Sequence, residues 1–220
     1  MEKSYLISFD ISTSCVGFSL FDYNTEKVLE IKQIEPKIKK PNPDSVLYEK
    51  ANLVREVIES YKALPIKHIW IEEPLLNSNN IWTVATLIKF NGIISMMCYD
   101  ILGIAPKYIS SYDARAKAFP QLMQPGSVKN KDVLFGGYKK KADSINDIQD
   151  VHKKYYKADK TGLVTLDKKR VVFDEVCKVY PNLPWIKDKK GGFKQSNYDM
   201  ADSICIALAV FNIRNAGLTK

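Results

Sequence analysis

The sequence has few of the residues that build zinc sites or disulfide frameworks: two histidines and four cysteines among 220 residues. The cysteines lie at positions 15, 98, 177 and 205 with no close pair, so neither kind of site is expected. Cys98 and Cys205 lie in apolar runs, and we interpret them as small buried side chains.

Long hydrophobic runs are also missing. The apolar stretches Val84–Ile94 and Ile204–Val210 end or are interrupted well before the roughly 18 residues that a membrane span needs. Met1–Ser4 leads directly into a strand-like run, so no secretory signal is visible. We therefore expect a soluble protein with no membrane partner, located in the cytoplasm.

Positive charge is in excess and unevenly distributed. The chain has 33 lysines and arginines against 25 acidic residues, a formal charge of +8. The segment Gln121–Arg170 holds twelve of the basic and six of the acidic residues, and so supplies most of the excess. Such a segment is typical either of a nucleic-acid-binding surface or of a solvated lysine-rich loop, and charge alone leaves both open.

Apolar periodicity predicts an α/β fold in a single domain spanning residues 1–220. Tyr5–Asp10, Val16–Asp22 and Lys27–Ile34 read as three consecutive antiparallel strands. A helix from Asp44 to Lys62 and a strand over Lys67–Glu72 follow, an order that is typical of parallel pairing.

The second half continues with helices and one more strand. We predict a helix over Asn79–Leu102, a strand over Ala105–Ile109 and a short helix ending at Ala118. The apolar pattern is lost in a basic insertion at about 121–166. Helices return over Lys168–Tyr180 and Tyr198–Asn215.

Four acids occupy positions where the functional edge of such a sheet would lie. Asp10 and Glu72 each end a strand, and Asp199 and Asp202 share one side of the first turn of the last helix. Each could be an ordinary turn or helix-start residue. Together they form an oxygen-only set of the kind that binds Mg²⁺ or Mn²⁺.

These motifs resemble the ribonuclease H-like nucleases, and within them the RuvC-type Holliday junction resolvases. Asp10 to Gly17 is similar to the first motif of that family, Ile71 to Pro74 to the second, and Asp199 to Ser203 to the third. The resemblance covers most of the chain outside residues 121–166. It implies a five-stranded mixed sheet, with three antiparallel N-terminal strands followed by parallel ones, flanked by helices.

Two positions depart from the family pattern. Glu73 follows Glu72 where the family more often has an amide residue. Successive strand residues point to opposite faces, so only one of the two glutamates can face the site. We choose Glu72. Leu75 stands where the family tends to carry an aromatic that stacks on junction bases. Trp82 could substitute, although a tryptophan on an apolar helix is more often a core residue.

The resemblance implies a metal-dependent endonuclease that resolves Holliday junctions or other branched DNA by paired symmetrical nicks. Asp10, Glu72, Asp199 and Asp202 would be both the catalytic residues and the ligands of two Mg²⁺ ions, with Mn²⁺ able to substitute. A homodimer is implied, with the helix Asn79–Leu102 as its interface. A phage or virus would be a fitting source, and the protein would then act inside the host cell.

The lysines expected to contact DNA phosphates are drawn from the basic segment and the regions that flank it. They are Lys139, Lys140, Lys141, Lys153, Lys154, Lys168, Lys169 and Lys194.

Three alternatives stay open. One is a related nuclease that cuts forks or RNA–DNA hybrids, and another is a non-catalytic DNA-binding module of the same fold. The third is an actin-like or sugar-kinase-type ATPase, which the first hairpin alone would allow. A second glycine-rich phosphate loop, which such ATPases need, is missing from the sequence.

Overall fold

Three consecutive strands form an antiparallel ribbon at the start of the chain. The computed structural model describes residues 2–39, 42, 44–74, 80–123, 140–141, 153–158 and 163–217. Strand β1 spans Tyr5–Ile11, β2 spans Val16–Asp22 and β3 spans Val28–Ile34. The β1–β2 register places Asp10 opposite Gly17. The antiparallel prediction for this third of the chain is confirmed.

Two parallel strands complete the main sheet, because each is reached through a helix. Helix α1 (Val46–Glu59) leads to β4 (Ile66–Glu72), and α2 (Ile81–Leu102) leads to β5 (Lys107–Ile109). The sheet order is β3-β2-β1-β4-β5, with β4 parallel to both β1 and β5. The carboxyl ends of β1 and β4 therefore meet at one edge, as the predicted five-stranded mixed sheet requires.

The helices cover both faces of the sheet, and strand alternation divides the side chains between them. Ile7 and Phe9 are buried against α1 and α2. The other face is covered by α3 (Ser111–Ala118), α4 (Lys168–Val179) and α5 (Ser196–Asn215). Ser8 and Asp10 point to this second face, so the acid that ends β1 lies beside the last helix.

Helix boundaries differ slightly from the predicted ones. Helix α1 begins after Ser45 rather than Asp44, and the Ser45 hydroxyl binds Glu49 instead of capping the backbone. Helix α5 begins at Ser196, two residues before the predicted start. The sequence predicts no particular element within the basic insertion, and its described parts contain a small antiparallel sheet, β6 (Lys140–Lys141), β7 (Tyr156–Ala158) and β8 (Leu163–Leu166), in the order β6-β8-β7.

Helix α2 begins two residues after the predicted start and ends at the predicted Leu102, but it is more apolar than the sequence interpretation allowed. Within the described part of the chain it alone has the length and composition of a membrane span, with 28% of its most apolar window buried. Phe90, Ile94 and Cys98 on one side of it are buried against the sheet and α1. Its other side carries the exposed apolar residues Ile81, Trp82 and Met96.

Candidate metal centre

Asp10 lies at the carboxyl end of β1, facing the last helix. The residue is only 9% exposed. Two positions earlier, the buried hydroxyl of Ser8 lies 2.6 Å from the Ser19 hydroxyl and donates to the carbonyl of Ser203 over 2.8 Å. This contact joins β1 to α5 beside the acids and fixes how the helix sits against the strand.

Gly17 sets the height of α5 above the sheet. A Cβ atom at Gly17 would lie 2.0 Å from the carbonyl oxygen of Asp199, a distance that real atoms do not adopt. Only glycine therefore allows the first turn of α5 to approach β2 this closely. The glycine that follows the polar turn thus has a role in placing Asp199 over Asp10.

Three aspartates converge at this point. Oxygen atoms of Asp10, Asp199 and Asp202 all lie within 4.8 Å of one another. Their side chains are 12%, 15% and 8% exposed, so water can screen their mutual repulsion only weakly. The spacing of three along α5 brings Asp199 and Asp202 to the same side of the helix, as predicted.

Lys169 at the start of α4 supplies a positive charge in the middle of the acids. Its Nζ atom lies 2.5 Å from Asp199, 3.4 Å from Asp202 and 3.5 Å from Asp10. Burial alone would lower the pKa of Lys169, but the three carboxylates raise it above its ordinary value. The ammonium group thus occupies the position of a cation shared by three acids.

Glu72 borders the three aspartates at the end of β4. Its charge is the strongest charge acting on Asp10, and burial followed by the charge of Asp202 raises the pKa of Glu72 to about 7. Glu73 is exposed and lies with Pro74, Ile88 and Tyr108 in a cavity on the α2 side. Strand alternation thus separates the two glutamates, and Glu72 is the one that faces the aspartates.

Burial and crowding raise the pKa values of the carboxyl groups in this cluster. Burial, then the charges of Glu72 and Asp202, raise the pKa of Asp10 well above its usual range. Burial also raises the pKa of Asp202 to about 6, against the lowering effect of Lys169 and Arg115. The protein therefore keeps several carboxyl groups together at an electrostatic cost, which a bound cation would remove.

Arg115 is a second basic residue at the site that sequence reasoning missed. It lies on α3, donates to the hydroxyl of Ser111 over 3.1 Å, and its charge opposes the raised pKa values of Glu72 and Asp202. Its partly buried position beside an acid pair depends on how α3 packs against α5. No local sequence pattern predicts how these two helices pack, so the position of Arg115 could not be predicted.

The predicted DNA-contacting lysines fall into different environments. Lys168 and Lys194 are exposed, whereas Lys169 is paired with the aspartates. Lys154 binds Asp174 over 2.8 Å, beside the partly buried Lys153. Lys140 and Lys141 form β6, and Lys139 lies outside the described residues.

Trp82 and the cysteines provide two further outcomes. Trp82 is 80% exposed at the start of α2, so the expectation of a core tryptophan is wrong. Ile81 and Trp82, the first two residues of the helix, both lie on its exposed side. Cys98 and Cys205 are 0% and 2% exposed, as predicted. Leu75 lies outside the described residues.

The donor set fits a hard divalent cation. Three aspartates and a glutamate offer only oxygen atoms, and an ammonium group already occupies the space between the aspartates. Mg²⁺ and Mn²⁺ prefer such ligands, whereas softer ions prefer nitrogen or sulfur. Cys15 is buried nearby, but burial and the charge of Asp199 raise the pKa of its thiol, which disfavours the thiolate that a soft metal would need.

Comparison with known proteins supports the fold assignment. The sequence matches no protein-family model and no curated protein. Among solved structures, T. thermophilus RuvC in complex with Holliday junction substrate aligns over 99% of this chain and 98% of its own, with 10% identity and a TM-score of 0.53. A second Thermus thermophilus RuvC structure aligns with 11% identity over 98% of both chains and the same TM-score of 0.53. Together with the sheet order, these likenesses show a ribonuclease H-like α/β fold.

Proposed function

We propose that this protein is a metal-dependent endonuclease that cuts branched DNA, and that four-way junctions are its substrate. The observation that carries the proposal is the convergence of Asp10, Asp199 and Asp202, with Glu72 beside them, at the carboxyl edge of a ribonuclease H-like sheet. Ligand sites of open α/β sheets lie outside the carboxyl ends of their strands. A pure DNA-binding surface would gain nothing from concentrated negative charge.

The four acids would hold two Mg²⁺ ions, or Mn²⁺ in their place. When bound, such ions supply Lewis acidity that activates water and stabilises the leaving oxygen of a phosphodiester. Asp10, Glu72, Asp199 and Asp202 would hold these ions with their carboxylate oxygens. The hydroxyl network of Ser8 and the close approach at Gly17 hold these carboxylates in place without substrate.

Lys169 has two roles in this proposal. In the metal-free protein it offsets part of the negative charge of the aspartates, because its Nζ atom lies within 3.5 Å of all three of them. With metal held by the same carboxylates, the ammonium group of Lys169 would lose these partners and would be available to contact a DNA phosphate. Its side chain is 48% exposed, so it can reach the solvent side of the site.

The exposed apolar face of α2 supports a homodimer, which paired nicks on opposed strands would need. Ile81, Trp82 and Met96 are 75%, 80% and 58% exposed, more apolar surface than a helix normally leaves in water. Lys89 and Asp100 line the same cavity of about 660 Å³ on this side of the helix. Two antiparallel copies of α2 would pair the lysine of each with the aspartate of the other.

The dimer is tested by placing a charge on this face. Met96→Arg should convert a dimer into a monomer in analytical ultracentrifugation, because a buried unpaired charge is costly in an apolar interface. Leu29→Ala, at a side chain that is 47% exposed on the edge strand β3, is the matched control. A parent protein that sediments as a monomer at micromolar concentration would refute the dimer.

The nuclease is tested with a panel of labelled substrates: a four-way junction, a fork, a linear duplex and an RNA–DNA hybrid. We expect paired nicks in the junction with Mg²⁺ and no cleavage with EDTA. Asp10→Asn should abolish cleavage while leaving junction binding measurable. Cleavage that persists in EDTA or in Asp10→Asn would refute the metal-dependent assignment, and preferential cutting of the fork or the hybrid would replace the junction as substrate.

A further inference from the structure

A tight hairpin directly before α5 carries an exposed aromatic side chain. Lys187 and Phe193 form an antiparallel bridge, and the amide of Asp188 donates to the carbonyl of Gly192 over 2.7 Å. The Asp188 carboxylate accepts the Gly192 amide over 2.9 Å, and Gly191 supplies the left-handed backbone with φ of 82°. The polar stretch between α4 and α5 is therefore an ordered structure.

A buried asparagine ties this hairpin to the candidate metal centre. The Asn197 side chain accepts the amide of Ile186 over 2.9 Å and donates to the Ile186 carbonyl over 2.7 Å. Asn197 is fully buried and lies two positions before Asp199 in the same helix turn. The base of the hairpin and the acids are thus held in one fixed arrangement.

Phe193 borders a pocket that shares a wall with the metal centre. The pocket has a volume of about 320 Å³ and is lined by Asp167, Lys169, Phe193, Gln195 and Tyr198. This volume is at the lower end of the range for small-molecule sites, roughly 300–1,000 Å³. Lys169 is also the residue whose ammonium contacts the three aspartates. A group bound at the acids and a group bound in the pocket would therefore be neighbours.

The Phe193 ring packs against a cluster of aromatic side chains and is about half exposed to solvent. Phe193 packs edge to face on Phe173, with ring centroids 5.0 Å apart, and is 47% exposed. Phe173 in turn contacts Trp185 and Tyr198 at centroid distances of 5.0 Å and 5.4 Å. The cluster makes Phe193 a rigid platform, so a second ring could stack on it at little cost in ordering.

The hairpin is also strongly basic. Lys187, Lys189, Lys190 and Lys194 are all exposed, and Asp188, the one acid between them, is bound to backbone amides of the turn. Exposed aromatic rings combined with lysines are typical of surfaces that bind unpaired nucleotides, because the lysines follow the phosphates and the rings stack on the bases.

We propose that Phe193 and the pocket beside Lys169 form a stacking site for an unpaired nucleobase of DNA whose neighbouring phosphate lies on the acid cluster. The assignment rests on the proposed nuclease function and names the part of the substrate that this end of the site binds. A base displaced from a branch point can reach such a pocket, whereas a base inside an intact duplex cannot. The hairpin would therefore favour branched over linear DNA.

The test uses the full-length protein carrying Asp10→Asn, so that DNA is bound but not cut. The probes are a single-stranded oligonucleotide and a four-way junction, each with 2-aminopurine at and beside the branch or at mid-strand. We expect binding to quench the fluorescence of the stacked base. Phe193→Ala should weaken binding about ten-fold, within the range for one base–aromatic stack, and remove the quenching.

Further variants separate stacking from structure and from charge. Phe193→Leu keeps an apolar contact with Phe173 but has no ring, so it should fold like the parent and still lose the quenching; Phe193→Trp should retain it. Lys189→Gln with Lys190→Gln should reduce the salt dependence of binding, while Phe193→Ala leaves that dependence unchanged. Leu29→Ala, at a site of equal exposure, should match the parent.

The outcomes distinguish this inference from the function on which it rests. If the Asp10→Asn protein binds the junction but Phe193→Leu binds and quenches equally well, the stacking site is refuted and the nuclease proposal stands. If the Asp10→Asn protein binds neither DNA, both proposals are refuted.

Discussion

Replacing Lys169 with methionine tests whether its ammonium group acts as an internal cation. Its contacts with three carboxylates span 2.5 Å to 3.5 Å. With the screening of bulk water as a lower limit, each contact near 3 Å contributes about 1.4 kcal/mol, or roughly 4 kcal/mol for three. Ordering and partly desolvating the lysine offsets about half of this, since the side chain is 48% exposed. We therefore expect Lys169→Met to lose about 2 kcal/mol of stability.

The assay is thermal denaturation at pH 8 in EDTA, where this loss corresponds to a Tm lower by roughly 4–8 °C. Saturating Mn²⁺ should largely restore the Tm, because the metal replaces the missing positive charge. At pH 5 the deficit should shrink, since Glu72 and Asp202, with pKa values raised to about 7 and about 6, then hold protons. Lys168→Met, at an exposed neighbour, is the control. An equal deficit in EDTA, in Mn²⁺ and at pH 5 would show that packing, not charge, is lost.

Three other substitutions test the geometry and charge of the site. Glu72 has a folded-state pKa raised to about 7, so its stabilising contribution is present below about pH 4.5, where it is protonated, and is lost as the pH rises through about 7. Glu72→Gln mimics the protonated side chain. Urea denaturation of the metal-free protein should therefore show that this variant is more stable than the parent at pH 8 but not at pH 4.5. Gly17→Ala should cost more than about 3 kcal/mol, because its Cβ would collide with the Asp199 carbonyl, and soluble protein with the parental Tm would contradict the close approach. Ser8→Ala should lower the free energy of unfolding by about 1–2 kcal/mol, because the buried hydroxyl of Ser19 loses its hydrogen-bond partner. An unchanged midpoint in urea denaturation would show that the pair of hydroxyl groups does not stabilise the fold.

The main sheet and its order of elements could be predicted because each strand and helix has a strong apolar period. Asp10 and Glu72 end such strands, and the separation of Asp199 from Asp202 sets their shared side of a helix. Strand alternation predicted that only one of Glu72 and Glu73 faces the site but not which one, and the structure places Glu73 on the α2 side.

Features that depend on tertiary contact could not be read in this way. Lys169 belongs to a run of basic residues that looks like a solvated surface, and only the packing of α4 beside α5 carries its ammonium group to the aspartates. The hairpin around Asp188 has too few apolar residues to show strand alternation, because its geometry comes from side-chain bonds to the turn. Trp82 follows the apolar pattern of α2 yet is exposed, since the pattern does not tell which apolar face the sheet covers.

The hydrogen bond from Ser8 to the Ser203 carbonyl joins positions 195 residues apart. Asp10 lies in β1 and Glu72 in β4, but Asp199 and Asp202 come only with the first turns of α5, so a chain interrupted before α5 has two of the four acids. Closing a loop of this length costs chain entropy that the contacts between neighbouring elements do not. If the four acids bind metal as proposed, an interrupted chain would not form the site, and the order of synthesis would withhold metal binding until α5 is made.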